Sequence, residues 1–421
     1  MVTENQKVFD NIDLALAFVL SEEQNVLKSD TMRQSPPRIF RGDPISQLKQ
    51  PPENIPIDSL DNPLVAFYNK ASDDKFIMTR LGSGRYSLKP NLCRRAFLFR
   101  GESEFHQPCT PNLYRKVAQV RYTAEMARGQ EMMLLMLSHP LVQLLDMGVE
   151  LDGKLCRFEM NLFGLTQHYY NKTPFLDLTS DPEVAAFFAT THYDWRTDTY
   201  SPVVDSHNPY GVLYYYSLDV NLDFVFTGLR TIGLQVFPRS ERQSGFLYEM
   251  KKGDDLNALP QINAVFFKHD ADIAARISKA FHNGEVLFPN DMLMGHWKSD
   301  NLDNMVISNR TVLLNKFFNP NMTTADVESE ITALGFRIKD YVPSFTDEEL
   351  DLYFDEVQNR GFWVRFCNLI HIPGDKDGKM MRDMLNLPSN PKYRWAFERD
   401  DNHVTDPSKG FVMNMYKDCL K

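Results

Sequence analysis

Apolar positions along the chain change period several times, and each change marks an expected element. Residues 14–20 (LALAFVL) sit inside a polar N-terminal segment and read as the buried face of a short helix within residues 1–30. Ser35, Pro36 and Pro37, then Pro51, Pro52 and Pro56, break the pattern, so residues 1–90 read as a helix plus irregular packing. Residues 94–100 (RRAFLFR) have the density of a buried strand, which Gly101 ends. Residues 112–138 predict a long helix, with Val117, Val120, Ala124 and Ala127 at near-helical spacing and an all-round apolar end over 132–137.

Ser180-Asp181-Pro182-Glu183 has the form of a capping box, with Ser180 as cap and Glu183 reaching back. Ala185, Ala186 and Ala189 then give that helix a surface for close approach. Residues 210–218, 245–250 and 263–268 predict strands, and 272–282 a further helix. Beyond Trp297 helical patterns dominate, as at 323–334 and 346–360, with 370–378 (IHIPGDKDG) a loop. Strands mixed with segregated helices predict an α+β class: a mixed sheet domain flanked by helices, followed by a mostly helical C-terminal region. The expected division is an N-terminal helical and irregular extension over 1–91, a central domain over 92–300 and the helical region over 301–421.

Composition narrows the picture. A length of 421 residues suits two or three domains, and 43% hydrophobic with 12% aromatic residues excludes global disorder. A formal charge of -10 argues against sequence-independent nucleic-acid binding. The five cysteines, Cys93, Cys109, Cys156, Cys367 and Cys419, are odd in number and lack short paired spacing. This fits reduced thiols and a cytoplasmic setting. The first ten residues lack a basic leader, and no apolar run is long enough for a membrane span, so a soluble protein is expected. The ten histidines show no metal-ligand spacing, and no P-loop occurs. Residues 81–87 hold a G-x-G, but Ser87 stands where a dinucleotide fingerprint needs glycine, so the segment reads as a flexible turn.

Four ordered blocks resemble the FRG domain family. The first is Phe97-Leu98-Phe99-Arg100-Gly101-Glu102, followed by Pro111 to Arg115. The second runs from Gln167-His168-Tyr169 through Pro174 to Thr179 and on to Ala185-Ala186-Phe187-Phe188-Ala189. The third is Arg239 with Gln243-Ser244-Gly245-Phe246, and the fourth Leu287-Phe288-Pro289. Tyr170 replaces the family's usual glycine, and Leu178 its common tryptophan. The layout in turn resembles an ADP-ribosyltransferase: an arginine on a first strand, a Ser/Thr strand before a helix, and an acid near a later strand.

That resemblance implies NAD as a substrate, for ADP-ribose transfer to a macromolecule or for hydrolysis, without a metal. It implies Arg100, Thr179 and Arg239 as cofactor-binding residues. It implies Arg100, His168, Thr179, Gln243 and Glu249 as catalytic ones, converging on one cleft. An arginine fork suits pyrophosphate, and a carboxylate suits an oxocarbenium-like transition state. Gln243 supplies no charge, so Glu241, Glu249 or Glu102 would have to supply the acid. Each residue also has a structural reading. Arg100 can pair with Asp177 or Glu102, His168 can be an interior histidine, Asp177 and Thr179 can serve a helix cap, and Arg239 with Arg242 can be a solvated pair. The alternative function is a non-catalytic module binding a nucleotide or a protein partner.

Overall fold

A computed structural model describes residues 7–29, 39–40, 54–55, 58–62, 65–68, 74–81, 84–115, 122–194, 197, 199–204, 208–218, 228–294, 306–359, 361–400 and 402–420. Residues 35–37, Pro51, Pro52, Pro56, Gly82, Ser83, Val117, Val120 and Trp297 lie outside them. In chain order the strands that matter here are β1 (Val8–Phe9), β2 (Phe76–Arg80), β3 (Tyr86–Pro90), β4 (Phe97–Glu102), β5 (Phe175–Thr179), β6 (Tyr210–Ser217), β7 (Leu229–Thr231), β8 (Gly245–Glu249), β9 (Ile262–Lys268) and β10 (Ile370–His371). The helices are α1 (Ile12–Ser29), α2 (Tyr122–Leu137), α3 (Pro140–Met147), α4 (Pro182–Thr190), α5 (Ala271–Ala280), α6 (Asn309–Phe318), α7 (Thr324–Ala333) and α8 (Asp347–Asn359).

The central sheet has seven strands in the order β1-β9-β6-β4-β5-β8-β7. β1 runs parallel to β9 and the other pairs are antiparallel, which makes the sheet mixed and the class α+β. Alternation gives each strand two buried faces. Phe97, Phe99, Leu213, Val265 and Phe267 pack with α1, α4 and α5. Leu98, Leu176, Leu178, Tyr214, Phe246 and Phe266 form the core on the opposite side. α1 lays Ile12, Ala15, Leu16 and Val19 on the first face, one helical stripe of residues 12–19. Its buried Glu23 then accepts from Arg95 Nη1 and the Ala96 and Phe97 amides at 2.9–3.1 Å, fixing the start of β4.

The alanine surface of α4 meets β4. A Cβ on Gly101 would fall 1.8 Å from the Ala185 carbonyl oxygen and 2.7 Å from the Ala189 nitrogen. The start of α4 differs from the expected box. Asp181, not Ser180, caps it, accepting from the Glu183 amide at 3.0 Å, because Pro182 occupies the first turn and sets the cap directly before itself. Within residues 1–90, the described stretches 74–81 and 84–90 hold strands where irregular packing was expected. β2 and β3 form a hairpin whose inward positions are all but buried, a pattern too continuous to read by alternation. β10 lies in the segment expected as a loop, parallel to β2, where the pairing partner is 294 positions away (Ile370 with Phe76). A third core joins α2 and α3 to β2, β3 and residues from Phe345 to Cys419. All five cysteines are buried, and none forms a disulfide. Among the described residues no helix is long and apolar enough to cross a membrane.

Candidate functional site around His168 and Asp177

Three adjacent strands bring the family blocks onto one transverse line. Phe99 of β4 stands opposite Thr179 of β5, which stands opposite Gly245 of β8. Gln243 closes the short helix Arg239–Arg242 just before β8, and the turn Thr166–Tyr169 carries His168 over the same sheet face as Asp177 and Thr179. Tyr170 ends that turn at φ 65°, a left-handed conformation glycine takes without cost, which accounts for the glycine preferred there.

His168, Thr179 and Gln243 come together. The Gln243 amide nitrogen donates to the Leu287 carbonyl at 3.2 Å, which turns its oxygen toward His168 Nδ1 at 3.0 Å. Nδ1 therefore carries the proton and Nε2 the lone pair. Burial pushes the His168 pKa below its ordinary value against the opposing pull of Asp177 and Gln243, so the ring is neutral near pH 7. The Thr179 hydroxyl donates to the Gln243 carbonyl at 2.7 Å and accepts from the Asp181 amide at 2.9 Å.

Asp177 is the hub. Its Oδ2 accepts from Gln167 Nε2 at 2.6 Å, and the Thr173 hydroxyl in turn donates to Gln167 Oε1. Its Oδ1 lies 3.8 Å from His168 Nε2, and neither atom has a hydrogen-bond partner. The Asp177 side chain is 40% exposed and that of His168 2%. Arg239 is not a surface residue but 1% exposed, because its guanidinium lies within 5.5 Å of the Tyr169, Tyr170 and Phe288 rings. Its Nη1 donates to the His168 carbonyl at 3.1 Å. Tyr169 bonds Asp291, whose carboxyl burial pushes above the ordinary pKa.

Arg100 reaches Asp177 from the other face, since strand alternation sets it with Leu98 rather than with Phe99 and Thr179. Nε and Nη2 both meet Glu102 Oε1, at 2.7 and 2.6 Å, and Nη1 donates to the Asp177 carbonyl at 2.8 Å. Burial alone would lower the arginine's pKa, but Glu102, with Cys109 and Asp177, holds it above the ordinary value. Glu249 stands apart: it pairs with Phe175 at the far end of β8, about 13 Å along the strand from Gly245. It is bonded to Arg230 at 3.0 Å. Glu241 pairs with Lys75 at 3.1 Å.

Sequence reasoning assigned Asp177 only a structural part, marked Gln167 within a family block without a role, and did not single out Asp291. Period-two alternation over residues 175–179 sets Asp177 on the face of Thr179 and was a usable signal. For Asp291 no local signal exists.

The geometry defines an α+β domain with a polar cluster over the middle and end of β5 and the head of β8. Residues 95–197 match the FRG domain family model, so the chain carries an FRG domain in its central region. The matched stretch contains β4, β5, α4 and the His168 turn, while Arg239 and Gln243 lie beyond it. No curated protein and no solved structure matches the chain.

Proposed function

We propose that the FRG domain is a non-catalytic binding module for a nucleotide of the NAD type. The observation that carries the reading is at the head of β8, where an NAD-cleaving site needs a carboxylate. Gln243 stands there with both ends of its amide engaged, and Glu249 is held by Arg230 at the far end of the strand. Stabilising a cationic transition state needs charge at the reacting centre, and an amide supplies none. The residues that would hold the ligand are Asp177 and His168, with Arg239 beneath them; Arg100 fixes the Asp177 peptide.

A second reading, NAD consumption with transfer to a macromolecule or to water, is favoured by one observation. The Asp177 side chain is 40% exposed, and one of its carboxylate oxygens, itself buried, has no hydrogen-bond partner. Labelled NAD distinguishes the two. The binding reading expects saturable binding with no release of nicotinamide or ADP-ribose, and no labelled macromolecule when lysate is added. Turnover that disappears in Asp177→Asn would establish the second reading instead. Absence of any saturable NAD binding would count against both.

A further inference from the structure

Two buried acceptors face each other in this cluster. The Gln243 amide is oriented by Leu287, so the imidazole proton stays on Nδ1 and Nε2 presents a lone pair. Gln167, itself held by Thr173, occupies Asp177 Oδ2 and leaves Oδ1 turned toward that lone pair. Acceptors left bare in a protein interior are costly, and two of them 3.8 Å apart also repel. A second proton on the ring would relieve this, but burial of the ring, and secondarily the Arg239 guanidinium bonded to the His168 carbonyl, opposes further positive charge.

We infer that His168 Nε2 and Asp177 Oδ1 form a two-acceptor slot that receives a hydrogen-bearing nitrogen of the ligand, a primary amide or amine. The inference rests on the binding reading above and names the group that the site recognises. A nitrogen with hydrogens satisfies both atoms at once. A carboxylate or keto oxygen in the same place would add a third acceptor, so discrimination is strong where a site is built around a donor. Both acceptor atoms are themselves covered, so the ligand nitrogen has to open the slot, and it does so from the side of Asp177, whose side chain is 40% exposed against 2% for His168.

NAD carries such a nitrogen at each end, on its carboxamide and on its adenine. The test measures binding of the full chain to NAD, to its analogue with a carboxylate in place of the amide, and to its hypoxanthine analogue. One analogue should bind about tenfold or more weakly than NAD, which identifies the seated end, and Asp177→Asn should bring it level. Equal binding of all three to the wild type overturns the slot and leaves the nucleotide reading standing. If none binds, that reading fails and the slot is decided on the free protein. There the amide introduced by Asp177→Asn can donate to His168 Nε2 while its oxygen keeps Gln167, so the melting temperature should rise by roughly 1–3 °C. Imidazole nitrogen shifts should show a protonated Nδ1 and a bare Nε2. A lower melting temperature in the variant, or a doubly protonated ring at pH 7, overturns the slot.

Discussion

Arg100 concentrates the question of structure against function in one side chain. Its fork closes on Glu102 and the Asp177 peptide, with side-chain exposures of 15% and 9% for the ion pair. Lysine keeps the charge but offers a single point of attachment on a flexible stem. Arg100→Lys should therefore destabilise the protein by about 1–3 kcal/mol, through loss of charge-assisted hydrogen bonds in a mostly covered site. The pH dependence has a definite sign. Burial alone would raise the Glu102 pKa, yet Arg100 and His106 hold it below the ordinary value of 4.5. Stability from this pair is thus fully present above pH 4.5 and is lost as pH falls through the lower folded-state value. Thermal unfolding of the two proteins should differ most near neutrality and converge in acid. A variant as stable as the wild type at pH 7 would show that the pair contributes nothing to the fold.

At the scale of elements, the glycine of the Phe99-Arg100-Gly101 string is explained by packing. The backbone of α4 passes so near β4 that Gly101 has no room for a methyl group, and the obstruction is backbone rather than a movable side chain. Gly101→Ala should cost about 3 kcal/mol or more, at the severe end of overpacking, because helix and strand must separate. Chemical denaturation would measure this, and a loss under about 1 kcal/mol would mean that α4 shifts freely. Separation would also move Thr179, which pairs with Phe99 and bonds Gln243. The elements around this contact were legible in the sequence. The strands expected at 210–218, 245–250 and 263–268 and the helix at 272–282 all form within a few residues. Their alternation or capping signals are local. β2, β3 and β10 were not legible, because nearly every position in the hairpin is buried and its third strand comes from the far end of the chain. The site divides in the same way. Residue types in short strings marked His168, Thr179 and Gln243, whereas Glu249 stood only near the right string. The role of Asp177 depends on which groups the turn Thr166–Tyr169 lays over it.

At the scale of the whole molecule, the apolar interior continues across residue 300. Met132 to Leu137 of α2 and Leu141 to Leu145 of α3 share one core with Phe345, Tyr353, Trp363, Phe366 and Met413. Polar contacts follow the same seam. The buried Glu131 carboxylate accepts from the Ser308 amide at 3.0 Å and from the Thr311 and Tyr341 hydroxyls. Asp146 accepts from the Val412 and Met413 amides at 2.9 and 3.0 Å. Removing residues 306–421 would strip α2 and α3 of these partners and leave Glu131 and Asp146 facing absent donors. Loss of a single buried Phe or Trp costs about 3–5 kcal/mol, and a whole domain holds only about 5–15 kcal/mol of net stability. A chain ending at residue 305 should therefore lose its cooperative thermal transition, although the seven-stranded sheet is made entirely of retained residues. Near-ultraviolet circular dichroism during heating checks this directly. A sharp transition within a few degrees of the full chain would mean that residues 92–300 fold without the C-terminal region. In that case the shared core is an interface between two independently stable units. A broad or absent transition would make the helical region part of the FRG domain's own interior, and the His168 turn, which packs Tyr169 into that same core, would depend on it.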